Sequence, residues 1–370
     1  MNENIIDFIR ISKSKILVSL LKQNFSGKEI IDYALKLEVK KGKEILISPE
    51  DAKIEFEKAQ NLKMEIIPFS SELYPEDLKQ IANPPSVLYA KGNLKLLSKP
   101  KFAIVGARFS SFESGVLAQK FAMKLSEFGF TIVSGFAYGV DTFACKGAME
   151  FGTIQVLGSG LDVIYPKQNT KLYEEVIEKG GLFLSELPPN SPAKPDNFPL
   201  RNRIISGISK GILLVQASKR NGSSGSLLTA KIALSQEKDL FAIPGHPFDP
   251  KFEGGNDLIK HGNAIFTTCP EDVIDLIGYH LTNKPKNFCF RPKNPSILED
   301  IDDTKIPAIN KPEDLKSEIK SILSTHPISI DEINSMLNIE LKDLQVALIE
   351  MELLNELQQH HDGKFSISFI

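Results

Sequence analysis

The sequence predicts an α/β protein with a doubly wound, mostly parallel sheet, with one small domain before the sheet and another after it. Two observations predict the sheet: short apolar runs of strand length recur between residues 102 and 245, and amphipathic helical patterns separate them. The composition agrees, because 42% of the 370 residues are hydrophobic and 25% are charged, as in globular proteins of two or three domains.

The overall charge is close to neutral, at -3, which argues against indiscriminate binding of nucleic acid or membranes. A site for a polyanion must therefore be local. The three cysteines, Cys145, Cys269 and Cys289, have no CxxC spacing, which is typical of a reducing compartment without a disulfide framework or a zinc site. No segment approaches eighteen apolar residues, so we expect a cytoplasmic protein without a membrane partner.

Residues 1–65 carry short amphipathic helical patterns over 5–21, 27–37 and 49–61. They predict a small helical domain of the sterile-alpha-motif or helix-hairpin-helix kind, although the spacing specifies neither. Residues 66–100 lead into the sheet: a helix over 74–81 is broken by Pro84 and Pro85, and a strand-like VLYAKG follows.

The sheet domain extends over residues 66–278. Its apolar strands are predicted at 102–107, 131–135, 153–160, 181–186, 211–215 and 239–245. Helical patterns lie between them at 113–128, 141–151, 172–179, 203–209 and 227–236, and Asp141 is expected to cap the second of these helices.

Small and polar residues follow the predicted strands. In doubly wound sheets ligands bind outside the carboxyl ends of the strands, and small residues there let a ligand approach the backbone closely. We therefore predict a binding crevice at this edge of the sheet, with the glycines Gly106, Gly135, Gly158, Gly160 and Gly225 among its residues.

Positive charge is concentrated next to this edge. Between residues 194 and 220 there are six Lys or Arg residues and one Asp, and a serine–glycine turn at 222–226 then opens a helix. Backbone N–H groups converge at a helix N-terminus, so a phosphate site is predicted, although a solvated basic surface would show the same charge. Five of these six cations are predicted to belong to the site: Lys194, Arg201, Arg203, Lys219 and Arg220.

The common nucleotide chemistries fit the sequence poorly. The turn after the first strand reads GARFSSFESG rather than GxGxxG, and the GSSGSLLTA turn lacks the lysine of a P-loop. Neither paired carboxylates nor a histidine cluster with metal spacing stands out, so we predict a binding site without a metal, a cofactor or catalysis. A Rossmann-fold enzyme that acts on a nucleotide or its phosphoribosyl bond remains the alternative.

Residues 279–312 are rich in Pro, Asn, Lys and Asp, which is typical of a linker. Residues 313–370 predict three helices, at 315–324, 330–337 and 341–354, and a terminal hairpin turning at Asp362–Gly363, which together form a winged helix. This domain has five Lys and eleven Asp or Glu residues from position 311 onward. Its third helix would repel phosphates, so we expect a protein-interaction or regulatory role.

A series of motifs in a fixed order then makes the sequence recognisable: YPEDL, NPPSVLYAKGN, VGAR, SGFAYGVD, VLGSGLDVIYP, LSELPP, NFPLRNRIISGIS, SGSLLTA and IPGHP with GGNDLI. They extend over residues 74–274, and they resemble the DNA-processing protein A family (DprA, also called Smf), whose members often carry an appended winged helix.

The resemblance implies an extended Rossmann-like domain that forms a homodimer and binds single-stranded DNA. It implies a non-enzymatic recombination mediator that protects incoming DNA during natural transformation and loads RecA recombinase onto it, in contact with single-strand-binding protein. Phosphates would be held by Arg108, Arg201, Asn202 and Arg203, and hydrogen bonds would come from residues 223–226, which are Ser223, Ser224, Gly225 and Ser226. Phe198 would stack on a base, and Arg203 has the alternative role of pairing with Glu186.

Three positions depart from the family pattern. Tyr138 stands where arginine is common, Cys145 where histidine is common, and Gln216 where glutamate is common. These departures affect the polar contacts expected near the strand ends and leave the predicted fold unchanged.

Overall fold

A computed structural model describes residues 2–23, 25–41, 46–219 and 225–281, together with 316, 319, 329–337, 341–353, 356–360 and 364–367. The chain divides into two compact units, residues 1–290 and 291–370.

A single sheet organises the first unit. Within the described residues it has nine strands in the order β1-β2-β6-β5-β4-β3-β7-β8-β9. The strands from β6 to β9 in this order are parallel, and β2 pairs antiparallel with β1 and with β6. The strands are β1 (Glu65–Pro68), β2 (Val87–Gly92), β3 (Lys101–Val105), β4 (Thr131–Ser134), β5 (Thr153–Val156), β6 (Leu182–Ser185), β7 (Gly211–Leu214), β8 (Asp239–Ala242) and β9 (Ile265–Phe266).

Helices precede the sheet and cover both of its faces. They are α1 (Asn2–Ile11), α2 (Lys15–Leu21), α3 (Gly27–Lys41), α4 (Pro49–Asn61), α5 (Glu76–Lys79), α6 (Phe112–Glu127), α7 (Val140–Ala148), α8 (Thr170–Glu178), α9 (Asn197–Gly207), α10 (Gly225–Ser235), α11 (Glu253–Lys260) and α12 (Pro270–Ile277).

The strand residues alternate between two cores. In β3, Phe102 and Ile104 pack in a cluster with α6, α7 and α12, while Ala103 and Val105 pack in a cluster with α9 and α10. This alternation follows from the two-residue period of a strand, and burial on both faces explains why the predicted strands are continuous apolar runs. The prediction of a doubly wound, mostly parallel sheet is confirmed.

The chain winds outward from β3 in two directions. Strands β4, β5 and β6 follow on one side, and β7, β8 and β9 follow on the other. The strand order therefore reverses between β3 and β7, and the carboxyl ends of these two strands mark the switch point at which doubly wound sheets bind ligands.

The first helices share a core with one face of the sheet. Phe8 and Ile30 belong to the same buried cluster as Val87, Tyr89 and Phe183 of β2 and β6. The sequence predicted one helix over 5–21, but the structure has two, because the Ser14 side chain caps α2 by accepting a hydrogen bond from the Leu17 N–H at 3.4 Å. The separate domain over 1–65 stays a prediction.

Other differences concern element ends. The predicted helix over 203–209 begins earlier, at Asn197, so the basic cluster lies on helix α9 itself. The predicted helix over 74–81 is the short α5. The prediction missed β1 and β9, because four and two residues carry too little pattern to be recognised.

In the second unit, helices α13 (Ile330–Leu337) and α14 (Leu341–Leu353) precede a hairpin of β10 (Leu357–Gln359) and β11 (Phe365–Ile367). Their apolar side chains form one small core that includes Ile333, Leu348 and Phe365. The linker beyond residue 281, most of the predicted first helix and the turn at 362–363 lie outside the described residues, so the winged helix stays a prediction. None of the helices in the described ranges has both the length and the apolar character needed to cross a bilayer.

Gly139 fixes the loop between β4 and α7 against the loop after β3. Its φ of 71° and ψ of -129° exclude side chains, and a Cβ there would lie 2.3 Å from the Ala107 carbonyl oxygen. We expect Gly139→Ala to lower the free energy of unfolding by about 3 kcal/mol or more in urea denaturation.

Gly262 provides the matched control, because its φ is also positive, at 68°, and a Cβ there meets no atom of the described part of the chain within 4 Å. Gly262→Ala should cost only the strain of the left-handed backbone, about 1 kcal/mol. Equal losses in the two variants would contradict the close approach at Gly139.

Candidate functional site

A crevice of about 710 Å³ opens at the switch point of the sheet. It lies where β3 ends and where α9 and α10 begin. The last residue of β3 and the loop after it contribute residues 105–109, and Ser218 follows β7. The crevice predicted at the carboxyl edge of the strands is therefore present. Its other lining residues include Ala137, Asp141, Tyr165, Phe198, Arg201, Asn202, Ser226 and Lys251.

Arg201 forms the floor of this crevice. Its side chain, 6% exposed, lies on α9 and points beneath the strand ends, where Nη1 donates to the carbonyl oxygens of Gly135 and Val156. These carbonyls follow or end β4 and β5, so one guanidinium joins α9 to two neighbouring strands. Its Nε also donates to the side-chain oxygen of Asn202 at 3.2 Å.

Asp141 is the buried carboxylate that acts on Arg201. Its Oδ2 accepts hydrogen bonds from the backbone N–H groups of Gly135 (3.1 Å) and Ala137 (3.3 Å). Burial raises the pKa of Asp141, and the Arg201 guanidinium acts in the opposite direction. Burial lowers the pKa of Arg201 to about 10, so this side chain remains charged at neutral pH. The predicted cap of α7 is wrong, because Asp141 binds loop amides and Gly139 occupies the cap position.

Asn202 connects the floor to the next helix. It is buried, and its Nδ2 donates to the carbonyl oxygen of Gly225 at 3.3 Å, at the first residue of α10. Arg201 and Asn202, both predicted to hold phosphates, thus have structural contacts within the protein. Arg201 is 6% exposed and lines the crevice from below, and a direct contact of Arg201 or Asn202 with phosphate stays a prediction.

Arg203 pairs with Glu186, which is the alternative role considered for this residue. Its Nη2 donates to a carboxylate oxygen of Glu186, and the two side chains are 16% and 26% exposed. Its Nη1 is buried, with no hydrogen-bond partner in the described part of the chain.

Arg108 is an exposed cation of the crevice. It lies in the loop after β3, three residues beyond the end of the strand, and its guanidinium carbon lies 5.1 Å from the centre of the Phe198 ring. Phe198 is half-buried in α9, with the Tyr165 ring 5.6 Å from its own and the Arg201 guanidinium 5.9 Å away. An exposed guanidinium next to an aromatic ring is suited to a ligand that carries both a phosphate and a flat base.

The glycines at the strand ends make room for the protein's own groups. A Cβ on Gly106 would lie 2.5 Å from Val140 Cγ2, and one on Gly135 would lie 2.7 Å from both Arg201 and Asp141 side-chain atoms. At Gly158 and Gly160 the nearest groups would be the Phe198 ring (2.9 Å) and the Pro188 carbonyl (2.7 Å). The sequence analysis expected these glycines to make room for a ligand. In the structure, the space beside each of them is filled by other groups of the protein.

The remaining predicted residues are spread around the rim. Lys194 is exposed in the loop before α9, and the exposed Lys219 forms an ion pair with Asp257 at 2.8 Å. Gly225 begins α10, and a Cβ there would meet no atom of the described residues within 4 Å, whereas Ser226 is buried. Arg220, Ser223 and Ser224 lie outside the described residues.

The structure adds lining residues that the sequence reasoning missed. Phe109, 89% exposed, stands beside Arg108, and Tyr165 and Lys251 complete the rim. No clear signal in the sequence pointed to Phe109, because a single apolar residue in a loop does not reveal whether it is exposed.

The three departures from the family pattern occupy different environments. Tyr138 lines a small cavity of about 30 Å³ that also touches Arg108 and Phe198. Cys145 is buried, and burial raises the pKa of its thiol. Gln216 positions the loop after β3, since its Oε1 accepts from the Ser111 N–H (3.1 Å) and its carbonyl accepts from the Ala107 N–H (2.9 Å).

Metal-binding clusters are not found: in the ranges that the structure describes, no three His, Cys, Asp or Glu side chains are grouped so that they could hold an ion. The crevice can therefore be described by its cation, its aromatic rings and its amide groups. A doubly wound sheet with a crevice at its switch point defines a Rossmann-like protein, and the exposed Arg108 makes this crevice suited to an anionic ligand.

Residues 65–278 match the sequence model of one family, DNA recombination-mediator protein A, and the chain belongs to this family. Membership confirms the resemblance recognised in the motifs. It also confirms the expectation of a recombination mediator rather than an enzyme, so the alternative of a Rossmann-fold nucleotide enzyme does not stand.

Curated relatives agree with this assignment. The chain is 39% identical to protein Smf of Escherichia coli over 254 residues, which are 65% of this chain and 67% of the relative. It is 33% identical to protein Smf of Synechocystis over 77% of this chain and 76% of the relative. It is 42% identical to the DNA processing protein DprA of Streptococcus pneumoniae over 55% of this chain and 71% of the relative.

Two solved structures are similar in fold. The crystal structure of DprA from Streptococcus pneumoniae is 31% identical, with a TM-score of 0.61, over 74% of this chain and 97% of that one. DprA from Helicobacter pylori, whose structure was described for its single-stranded DNA binding mode, is 31% identical, with a TM-score of 0.53, over 59% and 96%.

The structural role of Arg201 can be tested by removing its charge. We expect Arg201→Met to lower the free energy of unfolding by about 3–5 kcal/mol, because the Asp141 carboxylate and two carbonyls would stay buried without their partner. Urea denaturation of the full chain measures this loss. Arg108→Met is the matched control, and it should change stability by less than about 0.5 kcal/mol because its side chain is exposed. A stable Arg201→Met variant would contradict the assigned floor.

Proposed function

We propose that this chain binds single-stranded DNA in the crevice at the switch point, protects incoming DNA there, and loads RecA recombinase onto it during natural transformation. One observation carries the proposal: the exposed Arg108 guanidinium lies over the Phe198 ring, at the mouth of a crevice whose floor is fixed by Arg201. The cation and the ring match the two parts of a nucleotide.

The exposed groups at the rim of the crevice would make the contacts with phosphates. Arg108 has the planar, permanently charged guanidinium that pairs well with a phosphate, and Lys194 and Lys251 add charge nearby. The N-terminus of α10 faces the same crevice through Gly225, and the first-turn N–H groups of a helix attract anions. Arg201 supports these contacts from below through its positive charge and through the loops it holds.

Base contacts favour a single strand over a duplex. Phe198 lines the crevice with Tyr165 beside it, so a base must present a free π-face to reach the ring. In a duplex both faces of each base are covered by its neighbours and its edge is paired, so stacking on Phe198 would require that base to be extruded. DprA from Helicobacter pylori, which is similar in fold, has a described single-stranded DNA binding mode, and this supports the same ligand for the present chain.

We extend the proposal to protein partners. RecA and single-strand-binding protein would bind to surfaces outside the crevice, so that the strand remains bound while RecA is loaded.

A homodimer is proposed through the end of the sheet domain, where the edge strand β9 carries Phe266 and the following segment carries Leu276 and Tyr279, all exposed. An edge strand with apolar side chains is suited to pairing with another chain. The acidic domain after residue 313 is proposed as a regulatory or protein-interaction module.

The Arg108 contact predicts a defined salt dependence. We expect Arg108→Ala to weaken binding of oligo-dT, and to lower the slope of log K against log salt concentration by about 0.7, the contribution of one phosphate on a single strand. Fluorescence anisotropy across a salt series measures both quantities. Lys120→Ala, which removes an exposed charge on the middle of α6, is the control and should leave the slope unchanged. A slope that stays the same in Arg108→Ala would exclude this residue as a phosphate contact.

RecA loading should depend on the same crevice. With a strand already coated by single-strand-binding protein, we expect the wild-type chain to increase the rate of RecA's DNA-dependent ATP hydrolysis, and the Arg108→Ala variant to do so less, because RecA is loaded from the bound strand. Equal stimulation by the wild type and the variant, at concentrations where only the wild type binds DNA, would separate RecA loading from the crevice.

A further inference from the structure

Phe248 is a highly exposed aromatic residue. It lies in the loop that follows β8, and 90% of its side-chain surface faces solvent. Its single ring contact within the described residues is with His246, whose ring centre lies 5.8 Å away. A large apolar ring held in water loses the free energy of burial, and such an exposure often marks a binding surface.

The loop that carries Phe248 is held firmly at both ends. The Asn256 side chain bonds both backbone groups of Gly245, accepting from its N–H at 3.1 Å and donating to its carbonyl at 2.9 Å. The Phe252 ring covers Gly245 so closely that a Cβ there would lie 1.9 Å away. Phe248 is therefore displayed on a fixed backbone, which lowers the entropy cost of contact with a ligand.

A second depression, of about 440 Å³, surrounds this ring, and it continues the crevice. It is lined by Lys219, Pro247, Phe248, Asp249, Pro250 and Glu253. The next residues along the chain, Ser218 before Lys219 and Lys251 after Pro250, line the crevice itself. The two hollows therefore adjoin at two places, once after β7 and once in the loop after β8.

The charges of this depression favour a base over a phosphate. Lys219 is already paired with Asp257, and the carboxylates of Asp249 and Glu253 face the same hollow. Two acids there would repel a phosphate, so the apolar ring is the group that offers a favourable contact. Stacking on an aromatic side chain is the contact that a nucleic-acid base makes under these conditions.

We propose that Phe248 is a second base-stacking platform, which binds the part of a single strand that leaves the crevice across β7 and β8. This inference rests on the proposed function and extends its site.

The strand order places β5, β4, β3, β7 and β8 side by side. At about 4.8 Å per strand, the carboxyl edge from β5 to β8 covers ~19 Å. That length corresponds to about six nucleotides at the ~3.4 Å step of a stacked strand. Very short strands would therefore reach Phe198 and leave Phe248 free.

Tryptophan fluorescence tests the proposal directly, because the sequence contains no tryptophan. Phe248→Trp introduces a single fluorophore at the proposed platform, and Phe198→Trp gives the reference inside the crevice. Phe151→Trp is the matched control, since Phe151 is 43% exposed and lies just before β5, where the amino ends of the strands lie, away from the crevice at their carboxyl ends. We expect oligo-dT of about 20 nucleotides to quench Phe248→Trp and Phe198→Trp at the same concentrations, and oligo-dT of about 3 nucleotides to quench only Phe198→Trp.

The alanine variant gives the affinity. Phe248→Ala should bind the long strand about 5- to 150-fold more weakly, with the short strand unaffected and the salt slope unchanged, because stacking releases no counterions. Its melting temperature should equal that of the wild type, since the side chain is exposed.

Each outcome bears on a different claim. If the long strand quenches Phe198→Trp and leaves Phe248→Trp unchanged, or if Phe248→Ala binds long strands as the wild type does, the second platform is wrong and the crevice stands. If affinity falls equally for short and long strands, Phe248 belongs to the crevice and the extended path is wrong. If the wild type binds no single strand in anisotropy measurements, the proposed function itself fails.

Discussion

The buried guanidinium of Arg201 is the constraint on which the site depends. It joins α9 to the ends of β4 and β5 through the carbonyl groups of Gly135 and Val156, and its charge offsets that of Asp141 in the interior. A buried charge is tolerated only when its partners are in place, so the geometry of the strand ends, the loop at 135–137 and helix α9 are fixed together. Phe198, three residues earlier on α9, takes its position from the same contact.

Arg201 and Arg108 look equivalent in the sequence, but they have different roles in the structure. Arg201 is used inside the protein, and Arg108 is exposed at the rim over Phe198. A chain with a net charge of -3 thereby presents positive charge at one edge of its sheet without a broad basic surface. Together with the aromatic residues Phe198, Tyr165 and Phe109, this favours a ligand that combines flat bases with a chain of phosphates.

The sequence was sufficient to predict the sheet, because strands buried on both faces are continuous apolar runs whatever their neighbours are. The motifs identified the family. Burial of individual polar residues was not predictable: Arg201 and Asn202 belong to a basic cluster in the sequence, and only the packing of α9 under the strand ends turns them inward. The short strands β1 and β9 were missed because they depend on pairing with β2 and β8 rather than on a pattern of their own. Phe248 was passed over for a similar reason, since exposure cannot be read from one apolar residue in a loop.

Ultraviolet crosslinking of oligo-dT to the full chain, followed by mapping of the modified peptides, tests the central claim most directly. The account predicts that thymidines attach to the segments that carry Phe198 and Arg108, at the carboxyl edge of the sheet, and that excess duplex does not suppress these products. Crosslinks confined to helices α1–α4, to the amino edge of the sheet, or to residues 330–367 would contradict it, because the strand would then bind away from the crevice that Arg201 builds.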